Sequence, residues 1–206
     1  MMSRRRALLI AQQGRLLPTE YQQVEYINGG GRAYIDTGIY LTNDDAISVE
    51  IKTIALPNNS RGIMGARSGF SDRNISISHQ PSGYGLICDF NNGSADTYRY
   101  KNTTIATGSR ITLICNKTRR GIVDVSYNNT ACTATFTCSA TCRIGATNGL
   151  GDPYTGDILG AEIEGKFKGI PCYNKSTGVI GMYDLISKTF FVNAGTGSFT
   201  KGADIN

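Results

Sequence analysis

The sequence contains no tryptophan and a single histidine, His79, among 206 residues. One histidine restricts nucleophilic catalysis, because a Ser-His-Asp triad would have to use it. His79 continues the apolar face set by Ile75 and Ile77 and ends a strand before a turn, so we expect it to be a structural or surface residue whose hydrogen bonds are satisfied. No apolar run reaches about 18 residues, which predicts no membrane-spanning helix. No glycine-rich phosphate loop precedes a helix, so nothing indicates nucleotide binding.

Acidic residues are missing from the N-terminus, where positive charge is concentrated. The first fifteen residues contain four arginines, Arg4, Arg5, Arg6 and Arg15. Beyond them the basic residues nearly balance the 16 Asp and Glu. A nearly neutral globular part lacks the broad positive field of a sequence-independent nucleic-acid binder, so we expect no nucleic-acid partner.

The basic segment predicts a short N-terminal arm over residues 1–18. The apolar patch Ala7–Ala11 is shorter than the core of a signal peptide, so secretion by that route is disfavoured. Two interpretations remain open. The arm is either a solvated tail or a docking segment for a partner protein, with docking residues Arg4, Arg5, Arg6, Leu8, Leu9 and Ile10. In the second case the arginines bind an acidic surface and the aliphatic side chains fill an apolar groove.

We predict that the six cysteines are core residues, although an even number also permits disulfides. They are Cys88, Cys115, Cys132, Cys138, Cys142 and Cys172. Between Ala131 and Cys142 thiols and apolar groups alternate with hydroxyls, and successive strand side chains point to opposite faces. Zinc is disfavoured because a second ligand pair is lacking. Buried thiols fit synthesis in a reducing cytoplasm, and we expect no cofactor or metal.

After Pro18 the apolar residues recur with period two, which indicates strands. Turn clusters separate about ten to thirteen short strands, a pattern typical of sandwiches and jelly rolls. We predict an all-β fold over residues 19–206, a two-sheet antiparallel jelly-roll sandwich. Within it, Gly29–Gly31 is expected to form a hairpin turn. Residues 159–168 are expected to form one strand, with Glu162, Glu164, Lys166 and Lys168 on its solvated face.

Long polar loops carry the side chains that sugars prefer, namely aromatic rings and planar polar groups. The candidate glycan-binding residues are Tyr98, Tyr100, Asn148, Asp152 and Tyr154. Ordinary loop composition explains the same residues. A calcium site using Asp152 and Asp157 is a weaker alternative.

Paired carboxylates offer a route to glycoside hydrolysis. Glu162 and Glu164 would lie on one face of a strand, about 6.5–7 Å apart at their Cα atoms. Lys166 and Lys168 continue that face, so a solvated charged stripe is the simpler interpretation.

Two segments together carry a family resemblance. The first runs Leu17-Pro18-Thr19-Glu20-Tyr21 to Ile27 and on through Ala33-Tyr34-Ile35-Asp36-Thr37-Gly38. The second runs Gly169-Ile170-Pro171-Cys172-Tyr173, then Gly178 to Asp184, and ends Asn193-Ala194-Gly195-Thr196-Gly197-Ser198-Phe199. The pair resembles the concanavalin-like, or laminin-G-like, jelly-roll proteins of bacteriophages, prophages and gut bacteria. The resemblance covers roughly residues 17–202.

The resemblance implies a lectin-like sandwich that is a virion component, made in the host bacterial cytoplasm and displayed on a capsid, head fibre or tail. Its partners would be other virion proteins, through residues 1–18, and host-surface glycans. Many copies on a particle would strengthen weak glycan binding, and a homo-oligomer is expected. The family's glucanases carry Glu-x-Asp-x-Glu, which this sequence lacks, so we expect no enzyme. The alternatives are a bacterial carbohydrate-binding module or surface lectin, and a glycoside hydrolase.

Overall fold

The computed structural model describes residues 17–67, 73–81, 83–92, 97–148 and 152–205, with only the backbone described at Thr97 and Tyr98. None of these residues lies in a helix, so they include no helix that could cross a membrane. The strands within these ranges are β1 (Tyr21–Gln23), β2 (Ile27–Asn28), β3 (Ile35–Thr42), β4 (Ile47–Lys52), β5 (Arg61–Ala66), β6 (Asn74–Gln80), β7 (Gly85–Asn91), β8 (Thr97–Asn102), β9 (Arg110–Cys115), β10 (Arg120–Ile122), β11 (Ser126–Asn128), β12 (Thr137–Ile144), β13 (Asp152–Pro153), β14 (Ile158–Ile163), β15 (Phe167–Asn174), β16 (Ile180–Asp184), β17 (Phe190–Val192) and β18 (Thr200–Lys201).

The described strands form two sheets. The large sheet has the order β11-β10-β9-β4-β14-β15-β16-β17, with β1 added beside β15 and β2 beside β14 and β18. The small sheet has the order β3-β12-β5-β6-β7-β8, and β13 pairs with β5 in parallel. The other strand pairs are antiparallel. This architecture confirms the predicted all-β sandwich of the jelly-roll type.

The alternation of side chains explains how the two sheets share one core. On β4 the side chains of Ile47, Val49 and Ile51 are buried and belong to the core cluster. Ile75 and Ile77 of β6 enter the same cluster from the small sheet. The intervening residues of β4 therefore face outward, because neighbouring side chains of a strand lie on opposite faces.

The cysteines are core residues, as predicted. The six thiols, all within the described ranges, are buried and form no disulfide. Burial raises the pKa of Cys172 to about 12 and moves the pKa of Cys88, Cys115 and Cys142 upward as well. These thiols stay protonated at neutral pH and are therefore poor nucleophiles. The inside–outside alternation begins at Cys132, although β12 begins only at Thr137.

The predicted single strand over residues 159–168 was wrong, because the chain reverses within it. β14 ends at Ile163 and β15 begins at Phe167. Gly165 has a φ of 71°, and the Lys166 N–H donates to the Ile163 carbonyl at 2.9 Å. The alternation of apolar and polar residues continues through this turn, so a period of two does not reveal the turn.

Gly29–Gly31 does not close the predicted hairpin. β2 before it pairs with β14 and β18 of the large sheet, whereas β3 after it pairs with β12 of the small sheet. The glycines carry the chain from one sheet to the other, with positive φ at Gly30 and Gly31. A local turn signal does not reveal which sheet receives the next strand.

The two segments that carry the resemblance are organised by side chains in turns. Asp184 accepts backbone N–H groups of Lys168 at 2.7 Å, Ile186 at 3.1 Å and Ser187 at 2.9 Å. Asn193 accepts the N–H of Tyr34 at 3.1 Å and so ties the second segment to the first. Asp184 and Asn193 therefore stabilise the fold.

The arginines and aliphatic residues predicted to dock, residues 4–10, lie outside the described residues.

Candidate functional site

The structure separates the five predicted glycan-binding residues. Tyr100 belongs to β8, at the edge of the small sheet, and only the backbone of Tyr98 is described there. The Tyr100 ring is buried in the core, with its hydroxyl 2.5 Å from Ser126 Oγ and accepting from Asn102 Nδ2 at 3.0 Å. The ring therefore has no open face for a sugar, and we leave Tyr100 out of the candidate site.

The other three predicted residues lie beside β5, three strands away from β8. Tyr154 is 1% exposed, and its hydroxyl donates to the Lys52 carbonyl at 3.0 Å, so it is a core residue too. Asp152 is exposed and its carboxylate lies 3.1 Å from Arg61 Nη1. Asn148 is half-buried, and its Oδ1 atom has no hydrogen-bond partner.

The two aspartates of the predicted calcium alternative each interact with a different side chain of the protein. Asp152 pairs with Arg61, and Asp157 accepts from Asn28 Nδ2 at 2.9 Å. In the ranges that the structure describes, no group of three or more His, Cys, Asp or Glu side chains could hold a metal ion.

A groove crosses the outer face of the large sheet, with a volume of about 590 Å³. We call it the sheet groove. It runs over β9, β4, β14 and β15, and the segment between β1 and β2 forms one wall. The residues that line it are Gln23, Val24, Glu25, Tyr26, Ser48, Glu50, Lys52, Arg110, Thr112, Asp157, Leu159, Gly160, Ala161, Glu162, Lys168, Gly169, Ile170 and Ile205.

The sheet groove exists because β14 and β15 separate. They pair only from Ala161 to Ile163, opposite Phe167 to Gly169. Beyond that point β14 pairs with Ile27 of β2, and β15 pairs with β1. The chain between β1 and β2 therefore stands beside the outer face and gives the flat sheet a wall.

Strand register determines which polar side chains of the groove lie next to one another. Ser48 lies opposite Glu162, and Glu162 lies opposite Lys168, so the three form a row across β4, β14 and β15. Glu50 lies opposite Thr112 on β9. All are outward positions, since Ile47, Val49 and Ile51 occupy the inward ones.

Several of these side chains have no partner among the described residues. Within the described part of the chain, Ser48, Thr112, Glu162 and Lys168 make no side-chain hydrogen bond or ion pair. Glu50 differs, because its Oε1 accepts from Arg110 Nε at 2.5 Å. That hydrogen bond raises the pKa of Arg110. The groove thus offers both donors and acceptors whose hydrogen-bonding capacity is unused.

One aromatic ring lines the groove. Tyr26 is half-buried, and a Cβ atom at Gly202 would come within 2.7 Å of its ring carbons. Gly202 therefore lets the C-terminal segment pack against the ring and hold it in the wall.

Sequence reasoning found only part of this site. It weighed Glu162 as an acid on a solvated face, but it paired Glu162 with Glu164. Glu164 lies in the turn after β14, is exposed, and does not line the groove. The usable signal was the alternation on β4 and β9, which marks their polar faces without showing that the strands are neighbours.

No protein-family model matches the chain, and no curated protein matches it. Among solved structures, the chain is similar to one titled "putative carbohydrate binding protein" from Bacteroides ovatus, with 10% sequence identity and a TM-score of 0.48. The match covers 92% of this chain and 62% of the length of that protein.

Proposed function

We propose that this protein is a non-enzymatic carbohydrate-binding domain that holds a glycan chain in the sheet groove. The observation that carries the proposal is the set of unpaired polar side chains lining one concave surface, Ser48, Thr112, Glu162 and Lys168. Sugar hydroxyls both donate and accept, so they match a surface that offers both functions. Tyr26 adds a ring edge or face for the apolar side of a sugar.

The charge of the groove favours a glycan over a polyanion. Four acidic side chains, Glu25, Glu50, Asp157 and Glu162, stand against three basic ones, Lys52, Arg110 and Lys168. Nucleic-acid binding draws its affinity from excess positive charge along the phosphates. A groove of mixed sign, open along four strands, suits an extended, largely neutral chain.

Glycan binding is expected to depend on Glu162. We expect Glu162→Gln to weaken binding about 10-fold, because a hydrogen bond to a charged group contributes about 1.5–3 kcal/mol. A glycan array identifies the ligand, and calorimetry on the isolated chain measures its affinity.

Glu164→Gln is the matched control for that variant. Glu164 is two residues away, exposed and outside the groove, so its replacement should leave affinity unchanged. Equal affinities of the wild type and Glu162→Gln, or an equal loss in both variants, would contradict the groove as the binding site.

Glycoside hydrolysis is a second candidate because two of the four carboxylates in the groove, Glu50 and Glu162, lie on neighbouring strands. Glu50 and Glu162 are diagonal neighbours on β4 and β14, about 7–8 Å apart at their Cα atoms. Arg110 Nε pairs with the Glu50 carboxylate at 2.5 Å, so Glu162 is the carboxylate whose removal tests this alternative. Turnover of laminarin-like or peptidoglycan-derived sugars that Glu162→Gln abolishes would establish this alternative over simple binding.

We further propose that the domain is displayed in many copies on a bacteriophage particle. The support is the resemblance of the two end segments and the four arginines of the first fifteen residues. Residues 1–18 anchor the domain through Arg4–Arg6 and Leu8–Ile10, and the sandwich meets glycans on the host surface. Multiple copies turn weak single-site binding into firm attachment.

Deleting residues 1–15 is expected to leave a folded domain that no longer joins the particle. The first described strand begins at Tyr21, and none of the described strand pairings uses residues 1–15. Incorporation is measured by purifying particles and detecting the chain in them, with thermal unfolding of the truncated protein as the folding control. A truncated chain that is incorporated at the wild-type level would rule out the anchoring role.

A further inference from the structure

A second cavity, of about 350 Å³, shares no lining residue with the sheet groove. We call it the His79 cleft. Its walls come from the segment after β4, the β6–β7 hairpin and the segment after β8. The lining residues are Thr53, Ile54, Ala55, Leu56, His79, Gly85, Leu86, Asn102, Thr103, Ile105, Ala106 and Thr107.

His79, the only histidine of the chain, is the buried polar group of this cleft. Its side chain is on the inward face of β6, and the residue is 4% exposed. Among the described residues, neither ring nitrogen has a hydrogen-bond partner, and Nδ1 is fully buried. Nε2 is not among the fully buried atoms, so it is the nitrogen that a molecule in the cleft can reach.

The other polar side chains at the base of the cleft are already engaged. Thr53 Oγ1 donates to the Ala106 carbonyl at 2.7 Å and accepts from the Ser109 N–H at 2.8 Å. Asn102 donates to the Tyr100 hydroxyl at 3.0 Å and accepts from the Thr104 N–H at 2.8 Å. Hydrogen-bonding capacity in the buried part of the cleft therefore belongs to His79.

Aliphatic side chains supply most of the remaining surface. Ile54 and Ile105 are half-buried against the core, and Leu86 is buried. Leu56 stands at the rim and is 48% exposed, so its side chain extends the apolar surface to the mouth of the cleft. The lining contains no acidic residue, lysine or arginine.

Burial lowers the pKa of His79, so its imidazole is neutral at pH 7. A neutral imidazole carries one donor and one acceptor. Buried polar groups in native proteins are nearly always paired, and an exception calls for a ligand or water. An apolar cavity with a single such group selects a ligand of matching shape, apolar except at one point.

We propose that the His79 cleft binds a small uncharged molecule that joins an apolar ring or short chain to one hydroxyl group. The hydroxyl exchanges a hydrogen bond with Nε2, and the hydrocarbon part lies against Ile54, Leu56 and Ile105. The inference is independent of the glycan proposal, because no residue lines both cavities.

Phenol is the probe, and the single histidine is the reporter, because its ring ¹H and ¹⁵N resonances are unique in the spectrum. We expect a saturable shift of these resonances with a half-saturation on the order of 1 mM, as for a ligand of seven heavy atoms. Toluene has the same ring without the hydroxyl and is expected to bind about 3-fold to 10-fold more weakly.

Ala106→Trp fills the cleft and should abolish the saturable shift. Ala106 is exposed at the rim, so the larger side chain should not prevent folding, and thermal unfolding checks this. Ala131→Trp is the control, since Ala131 is equally exposed and lines neither cavity.

Three outcomes would overturn the proposal. The first is a shift that stays absent or unsaturated up to roughly 20 mM phenol, which would leave water as the only occupant. The second is an unchanged shift in the folded Ala106→Trp protein. The third is toluene binding as tightly as phenol, which would show that a hydrogen bond to His79 contributes nothing to binding.

Discussion

Asp89→Asn is expected to lower the free energy of unfolding by about 3–5 kcal/mol, the range for removing one partner of a buried ion pair. Asp89 is fully buried on β7. Its carboxylate accepts from Arg99 Nε at 2.6 Å and Nη2 at 3.1 Å, and it lies 3.6 Å from Arg67 Nη1. Asparagine keeps the shape but removes the negative charge that faces both guanidinium groups.

The behaviour of Arg67 shows why that carboxylate matters. Burial lowers the pKa of Arg67, and the charge of Asp89 opposes this effect. Without Asp89, the buried arginine keeps its desolvation penalty and loses the compensating attraction. The charge of Arg99 lowers the pKa of Arg67 as well, and in the variant Asp89 no longer offsets it.

Asp152→Asn provides a matched control for Asp89→Asn. It removes the carboxylate of another Asp–Arg pair, Asp152 with Arg61 at 3.1 Å, but the Asp152 side chain is 53% exposed. Exposed pairs contribute at most about 1 kcal/mol. Urea unfolding followed by circular dichroism measures both variants. Similar losses of stability in the two would show that burial of Asp89 does not set its contribution.

Asp184→Ala is expected to destabilise the protein by about 3 kcal/mol, because three backbone N–H groups lose a charged acceptor. Asp184 is 1% exposed and closes the turn between β16 and β17. The loss should therefore unravel the end of the large sheet, which hydrogen exchange at β16 and β17 can detect.

The stability contributed by Asp184 should vary with pH. Burial alone would raise the pKa of Asp184, but the N–H groups of Lys168, Ser187 and Ile186 together hold it below the usual 3.8. A carboxyl with a lowered folded pKa stabilises the protein above its unfolded pKa and loses that contribution as pH falls through the folded value. The wild type should thus lose more stability than Asp184→Asn between about pH 5 and pH 2.

Asp204→Asn is the control for that pH profile. The pKa of Asp204 is also lowered, chiefly by the hydrogen bond from Lys201 at 2.7 Å, but this pair lies at the surface. Solvent screens such a pair, so its removal should change the loss of stability at acid pH far less. If the wild type and Asp184→Asn lost the same amount of stability as the pH falls, the assignment of this pH dependence to Asp184 would be refuted.

Local patterns predicted the strands where one face of the strand is buried. The alternation from Cys132 to Cys142 placed the thiols inside correctly, because a strand has a side-chain period of two whatever its neighbours are. The same rule failed over residues 159–168, where Gly165 reverses the chain and the alternation resumes in phase. A pattern of period two carries no record of a tight turn.

The candidate site was only partly predictable. Glu162 stood out as an acid on a polar face, but its true neighbours are Ser48 and Lys168, from β4 and β15. Tyr100 and Tyr154 looked like loop aromatics, yet both rings are buried. Hydrogen bonds to Ser126 and to the Lys52 carbonyl satisfy their hydroxyls, and those partners are distant in sequence.

Local alternation was enough to predict the all-β class, the buried thiols and the side chains of β12 that face inward. These properties depend on residues within a few positions of one another. The tertiary structure decided the order of the strands, the separation of β14 from β15 and the enclosure of His79. Such features depend on pairing between distant segments, and the alternation within a strand does not specify which strand it will pair with. The sheet groove and the His79 cleft both arise from that long-range choice.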